Sequence, residues 1–181
     1  VIQRTGFVFH QGSDFSTPIG SQISGKSSNV APGAQDIRLT AVRESDTTGS
    51  CEAFLVGPQT VSIGHTCESP GNCSATGNME VNGTTVGSNP AGSAANTTPI
   101  SIDFGDDTSS SGPLRLRYYD AGSVSLFAQM PLLDDEGSPT GEVIAGSSGP
   151  FAIVPAGFCV EAVNPDLACA TVGADCSVGA V

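Results

Sequence analysis

The sequence predicts an all-β chain folded as an immunoglobulin-like antiparallel β-sandwich and stapled by disulfides. Apolar and polar residues alternate with a period of two in several segments, as they do in strands with one face in a core and the other in water. Twenty-three glycines and 12 prolines supply frequent turns, and no segment has convincing helical spacing. Strands spaced roughly 10–15 residues apart favour a sandwich over alternating strands and helices.

The strand predictions follow the chain in order. Residues 1–10 look like a first strand, and the clearest alternation comes in the segments 37–42, 61–66, 100–104, 114–119 and 123–130. The connection 120–122, Asp-Ala-Gly, has the composition of a tight turn, so we expect the strands on either side of it to pair as a hairpin. Tyr118 would then face the core and Tyr119 the opposite side.

The domain boundaries follow from the loops and hinges between these strands. We expect one main β-sandwich domain over residues 17–156. Residues 1–16 would be an entering strand or the end of a preceding module. A Pro-Ala-Gly hinge at 155–157 suggests that residues 157–181 start a following module or form a C-terminal disulfide loop. No secretory signal is visible at the start, so the chain is interpreted as mature or internal.

Composition and charge exclude several functions. Apolar residues make up 38% of the chain and charged residues 13%, with a net charge of −12. Nucleic acids and anionic membranes would be repelled, since both bind basic patches. No window has the ~18 apolar residues of a membrane helix, so we expect no membrane insertion of this segment. An acidic chain rich in Ser, Thr and Asn indicates an extracellular location.

Six cysteines support this location, because an even number in such a chain is typical of disulfides in an oxidising compartment. They are Cys51, Cys67, Cys73, Cys159, Cys169 and Cys176. No C-x-x-C pair is present, which disfavours zinc. Of the many pairings that six cysteines allow, we favour the two local ones, Cys67 with Cys73 and Cys169 with Cys176. This choice leaves Cys51 with Cys159.

Catalysis finds little support in the sequence. A serine nucleophile needs a base, and the chain has two histidines, His10 and His65. His65 shares the apolar side of its strand with Val61 and Ile63, so we expect it to be packed. No G-x-S-x-G elbow occurs. The adjacent acids at 134–136 (Asp134, Asp135, Glu136) cannot face each other across a cleft as glycosidase carboxylates do, and we interpret them as a solvated loop. We therefore predict that the chain is not an enzyme.

Calcium is the one cofactor that the sequence suggests. Seven of the eighteen acids lie between residues 103 and 136. Among them Asp103, Asp106 and Asp107 are close enough in sequence to offer the carboxylate oxygens that Ca²⁺ prefers, as sandwich end loops can do. The segment does not follow the EF-hand pattern. A plain acidic loop is the alternative interpretation, and no other cofactor is predicted.

Several segments carry a family resemblance. They are TGFVFHQG (5–12), SQISGKSS (21–28), IRLTAVRESDTTGSCEAF (37–54), QTVSIGHTCESPGNCS (59–74), LRLRYYDAGSVSLFAQM (114–130) and GPFAIVPAGFCV (149–160). In this order they resemble the surface-protein region of MshQ-like proteins, a bacterial family associated with operons of the mannose-sensitive haemagglutinin (MSHA) type IV pilus. The resemblance covers most of the chain. It implies an exported, multi-domain, β-rich surface protein, pilus-associated or adhesive, and it brings no catalytic residues.

We therefore expect an extracellular structural or adhesive component of a bacterial surface appendage. Its partners would be proteins of that appendage or further copies of itself, or a host or surface glycan. One alternative is a lectin-like sandwich that binds calcium or a glycan. A second alternative is an accessory domain of a secreted hydrolase.

Overall fold

A computed structural model of the chain describes residues 5–45, 47–69, 79–88, 96–106, 110–133 and 137–156. These residues form strands and loops without a helix, so none of them belongs to a helix that could cross a bilayer. The strands are β1 (Thr5–Gln11), β2 (Gln22–Ile23), β3 (Ile37–Glu44), β4 (Cys51–Ala53), β5 (Pro58–Ser69), β6 (Met79–Val81), β7 (Thr84–Ser88), β8 (Thr98–Asp103), β9 (Gly112–Leu114), β10 (Leu116–Tyr118), β11 (Gly122–Leu133), β12 (Pro139–Ser147) and β13 (Phe151–Val154).

The first sheet is built around β3. Strand β1 pairs antiparallel along one edge of β3, from Thr5 opposite Arg43 to Gln11 opposite Ile37. Strands β4 and β9 share the other edge, one at each end of β3. The pairing of β1 places residues 5–11 inside the sandwich, although the sequence-based boundary separated residues 1–16 from the main domain. Residues 157–181 lie outside the described part of the chain.

The second sheet is centred on the two longest strands, β5 and β11, which pair antiparallel. Its strand order is β10-β6-β7-β5-β11-β13-β2, with β8 as a further partner of β5 and β12 as a further partner of β11. The predicted hairpin between 114–119 and 123–130 is therefore wrong. Strand β10 pairs with β6, and the chain leaves its position after β10 to pair as β11 with β5.

Segment 22–28 joins the two ends of this strand order. Its first residues form β2, parallel to β13, and the Ser24 N–H donates to the carbonyl of the last residue of β13 at 2.8 Å. Further along, the N–H groups of Gly25 and Ser28 donate to carbonyls of β10 at 2.7 and 2.8 Å. The backbone hydrogen bonds of the second sheet therefore run around a closed ring, which occupies the edge of β10 that the predicted hairpin would have used.

The core lies between the two sheets and contains the inward residues of nearly every strand. The largest fully buried side chains are Phe104, Ile37, Leu39, Ile63, Met79, Ile102, Leu126, Ile144, His10, His65, Val61 and Val81. Phe104 stacks on Phe7 of β1 with ring centroids 6.4 Å apart, so the first sheet and the end of β8 share one aromatic contact.

Strand β1 crosses close to β12, and glycine permits the approach. A Cβ on Gly146 would lie 2.0 Å from the carbonyl oxygen of Phe7. A Cβ on Gly6 would meet only the carbonyl oxygen of Ala145, at an ordinary 3.5 Å. Gly146 is thus the residue that allows the two sheets to touch backbone to backbone at this corner.

Candidate functional site

His10 lies on the outer face of the first sheet, yet it is fully buried. Its Nε2 is hydrogen-bonded to the Thr40 hydroxyl on β3 at 2.9 Å, and the ring of Phe15 packs edge-on against it at 5.2 Å. Its Nδ1 has no hydrogen-bond partner. Burial lowers the pKa of His10 from its usual 6.5, although the backbone of Gly12 and, more weakly, the carboxylate of Asp36 act in the opposite direction.

His65 is also buried, as predicted, and points into the ring of the second sheet. Its Nδ1–H donates to the Gly87 carbonyl at 3.1 Å, and its ring packs edge-on against Tyr118 at 5.9 Å. The Tyr118 hydroxyl in turn lies 3.1 Å from the Cys67 sulfur. Tyr118 faces inward and Tyr119 is 44% exposed, which confirms the predicted faces of both tyrosines.

Neither histidine is placed as a catalytic base. A base must reach a reacting proton in a site open to substrate. Both imidazoles instead lie under packed side chains, and each is hydrogen-bonded to a group that holds the fold together. Within the residues described, the geometry of a nucleophile–base pair at a surface pocket does not occur around either of them.

The predicted calcium ligands are only partly described. Asp103 is exposed at the end of β8, and its Oδ1 accepts a hydrogen bond from the Gly105 N–H at 3.0 Å. The carbonyl of Asp106 accepts the N–H of Ser110 at 2.9 Å. Asp107 and the acids at 134–136 lie outside the described residues. No group of three or more potential ligands occurs in the part of the chain that the structure describes, so the calcium site stays a prediction.

Two of the six cysteines are described. Cys51 is an exposed, free thiol on the short strand β4, so the disulfide predicted for it is not found. Cys51 lies exposed at the edge of the first sheet, and its predicted partner, Cys159, lies outside the described residues. Cys67 is disulfide-bonded, and its partner lies outside the described residues. The pairings of Cys73, Cys159, Cys169 and Cys176 likewise stay predictions.

The most exposed large apolar side chains of the described second sheet lie on β12 and at the end of β11. Val143 is 57% exposed and Leu133, at the end of β11, is 45% exposed. Pro131 lies opposite Val143, and Ala145 follows on the same face. We call these four residues, Pro131, Leu133, Val143 and Ala145, the outer strip. Strand β12 is not among the predicted strands, although the β-branched residues within 139–147 are a strand signal.

A shallow groove of about 430 Å³ continues from the outer strip across three strands. It is lined by Thr66, Glu68, Ser125, Phe127, Ala145, Gly146 and Ser147. The Ser125 hydroxyl donates to the Glu68 carboxylate at 2.6 Å, which fixes the position of the carboxylate. The groove thus combines one aromatic ring, several hydroxyls and one acid, a lining suited to hydrogen bonding more than to an apolar ligand.

The exposed tyrosine belongs to a separate polar cluster on β10 and β6. The Tyr119 hydroxyl donates to Glu80 at 3.0 Å, and the guanidinium of Arg117 lies 4.7 Å from the centre of the Tyr119 ring. Arg117 also donates to the Gly25 carbonyl at 2.8 Å. These contacts tie segment 22–28 to β10, and they give Tyr119 a structural role beside its exposure.

One family model matches the chain over residues 1–147. Its description reads "Domain of unknown function (DUF6701), first Ig-like domain". No curated protein and no solved structure was found to match. The match covers most of the chain, and its description agrees with the all-β, immunoglobulin-like sandwich predicted from the sequence. It ends before β13, which completes the ring of the second sheet.

Proposed function

We propose that this chain, which belongs to the family described as "Domain of unknown function (DUF6701), first Ig-like domain", is a non-catalytic structural or adhesive domain of an extracellular bacterial surface appendage. The narrower assignment to MshQ-like, pilus-associated proteins is part of the proposal and is supported by the ordered segments between residues 5 and 160. The word "first" in the family's description agrees with a domain that works in series with others.

One observation carries the non-catalytic part of the proposal. The chain's two histidines, His10 and His65, are 0% and 2% exposed, and both are bonded to groups within the fold. The described residues instead expose strand edges, the outer strip and polar loops to solvent. Such surfaces bind other proteins.

We also propose that disulfides staple the domain in an oxidising environment. The bonded state of Cys67 supports this, and so does the even number of cysteines in an acidic, extracellular-type composition. Mass spectrometry of the native protein, with and without reduction, tests the staple. Six alkylated thiols in unreduced, exported protein would refute it.

Immunogold electron microscopy of cells that produce the full-length protein with an epitope tag tests the location and role. We expect label on surface fibres or at their bases, and loss of fibres or of adhesion when the gene is deleted. Label confined to the cytoplasm would contradict the proposal. A hydrolase activity that disappears in His65→Ala, while His10→Ala retains it, would contradict the non-catalytic role.

A glycan-binding role is the second candidate, and the groove with Phe127 and Glu68 is the observation that favours it. A ring stacked on Phe127 and hydroxyls bonded to Glu68 would hold a neutral saccharide. A glycan array with the intact protein tests this role. Binding that is lost in both Phe127→Ala and Glu68→Gln, and kept in Tyr119→Ala, would make it the leading interpretation.

A further inference from the structure

Strand β12 (Pro139–Ser147) has one backbone edge with which no described strand pairs, although β1 crosses β12 close to Gly146. Its other edge pairs with β11 alone, and residues 139–143 are all exposed. Among the described strands that pair with a single neighbour, β12 is the longest. An edge of this length presents a row of N–H and C=O groups to which another strand can be added.

Two other edges of the second sheet are covered by the chain itself. Segment 22–28 hydrogen-bonds to β10, and β2 pairs with the outer edge of β13. One segment of the chain covers both of these edges, whereas no described strand pairs with the second edge of β12, and β1 only crosses it near Gly146. This contrast marks β12 as the place where the sheet can be extended.

The side chains of β12 specify what kind of strand fits. On its outer face Val143 and Ala145 belong to the outer strip, next to Pro131 and Leu133. On its other face the exposed charge is Glu142. A strand added here would align apolar residues with Val143 and place the residues between them beside Glu142.

The charges of the domain favour a basic partner. The groove beside β12 adds a second carboxylate, Glu68, and the whole chain carries a net charge of −12. The described basic residues lie on other elements. Arg38 and Arg43 are paired with Asp36 and Glu52 on the first sheet. The other three, Lys26, Arg115 and Arg117, are in or beside the elements around β10.

We propose that the open edge of β12 is a strand-addition site for an extended segment of another protein, in which apolar residues alternate with lysine or arginine. The proposal rests on the proposed protein-binding, non-catalytic role. A second copy of this chain fits less well, because pairing β12 with itself would bring two Glu142 side chains and two strongly acidic molecules together. The same carboxylate that opposes self-pairing selects a basic strand.

Hydrogen exchange of the intact protein tests the site with a defined probe. The probe is an acetylated and amidated peptide of lysine alternating with valine, as long as the nine residues of β12. We expect slower exchange of the β12 amides when the peptide is added, and no change in β8. The control peptide has the same charge but is N-methylated at two adjacent central residues, which blocks both of its strand edges.

The result that would overturn the proposal is equal binding of the two peptides, since charge attraction alone would then explain it. Absence of β12 protection would overturn it as well. A third contrary outcome is β12 protection in the protein alone that grows with concentration, because the occupant would then be a second copy.

A pair of charge-reversal variants separates the site from the overall charge. Glu142→Lys should weaken peptide binding by about two- to fivefold, which is the effect of losing one exposed cross-strand charge pair. Glu44→Lys changes the net charge equally at the end of β3 and should leave binding at β12 unchanged. Equal effects of both variants would refute a specific site. If the peptide does not protect β12 but the immunogold label is still found on surface fibres, the strand-addition proposal is refuted and the appendage role is not.

Discussion

At the scale of single residues, His10 makes folding depend on pH. Its pKa is lowered in the folded chain, mainly by burial, so the unfolded chain binds more protons just below pH 6.5. The free energy of unfolding should therefore fall as the pH is lowered from 6.5 through the folded-state value. Asp14, whose pKa is lowered by hydrogen bonds from Ser16, acts separately because its contribution is lost only as pH falls below 3.8.

Urea unfolding between about pH 7.5 and pH 5 checks this prediction. In His10→Gln the amide can still hydrogen-bond to Thr40 but cannot titrate, so the decrease seen in the wild type should flatten. Parallel curves for the two proteins would mean that His10 is not the titrating group.

Of the buried side chains, Phe104 is the one whose truncation should lower the free energy of unfolding most. It is fully buried between the sheets and stacks on Phe7. Phe104→Ala should lower the free energy of unfolding by about 3–5 kcal/mol, through lost burial and the cavity left behind. Val143→Ala is the matched exposed control and should change it by less than about 0.5 kcal/mol. Denaturant unfolding of both variants provides the measurement.

The alternating pattern of the sequence predicts the face of a residue correctly where alternation alone fixes that face. It placed Tyr118 and His65 inside and Tyr119 outside, because each lies in a strand of clear period two. It could not assign His10 to a buried position on an outer face, since its cover, Phe15, comes from a loop after the strand. The free thiol of Cys51 could not be predicted either, because the number of cysteines says nothing about their positions in the fold.

At the scale of elements, the crossing of β1 and β12 depends on a missing side chain. Gly146→Ala would place a Cβ 2.0 Å from the Phe7 carbonyl oxygen, so one of the two strands must move. We expect a loss of about 1–3 kcal/mol in the free energy of unfolding. Gly6→Ala at the same crossing meets its nearest atom at 3.5 Å and serves as the control. Equal thermal midpoints for both variants would show that the crossing is not tight.

Strand β13 lies beyond the family match yet belongs to the fold. Phe151 and Ile153 are about 95% buried, and β13 links β11 to β2 in the ring. A chain that ends at residue 147 should be less stable than one that ends at 156 by at least about 3 kcal/mol, the burial of two large apolar side chains. Comparison of their urea midpoints tests this. Similar midpoints would mean that the ring closes without β13.

The positions of most strands with alternating sequences could be predicted from the sequence, but the strands with which they pair could not. The segments 37–42, 61–66 and 123–130 lie within strands, and 100–104 extends one residue past the end of β8. Segment 114–119 is divided at Arg115 into β9 and β10. The hairpin failed because pairing depends on distant segments such as 22–28, which a local turn signal does not reveal. The candidate site was missed for the same reason, since an unpaired edge is a property of the whole sheet.

At the scale of the whole molecule, the topology predicts slow folding. Strand β2 pairs with β13, and β3 pairs with β9, so the chain must bring together segments that are far apart in sequence. Non-local sandwiches of this kind fold in about milliseconds to seconds. Stopped-flow refolding from urea, followed by tyrosine fluorescence, gives the rate. Refolding within microseconds would contradict the pairing described.

The parallel pairing of β2 with β13 has a mechanical consequence. These strands point the same way, and β2 lies near the start of the described chain while β13 lies near its end. Tension at the start of the described chain acts first on β1 and its pairing with β3. Tension that reaches the start of β2 and the end of β13 would load the hydrogen bonds between these two strands together, in shear, and would not unzip them one at a time. The lifetime of the domain under such a load would follow its unfolding rate and not its free energy of unfolding.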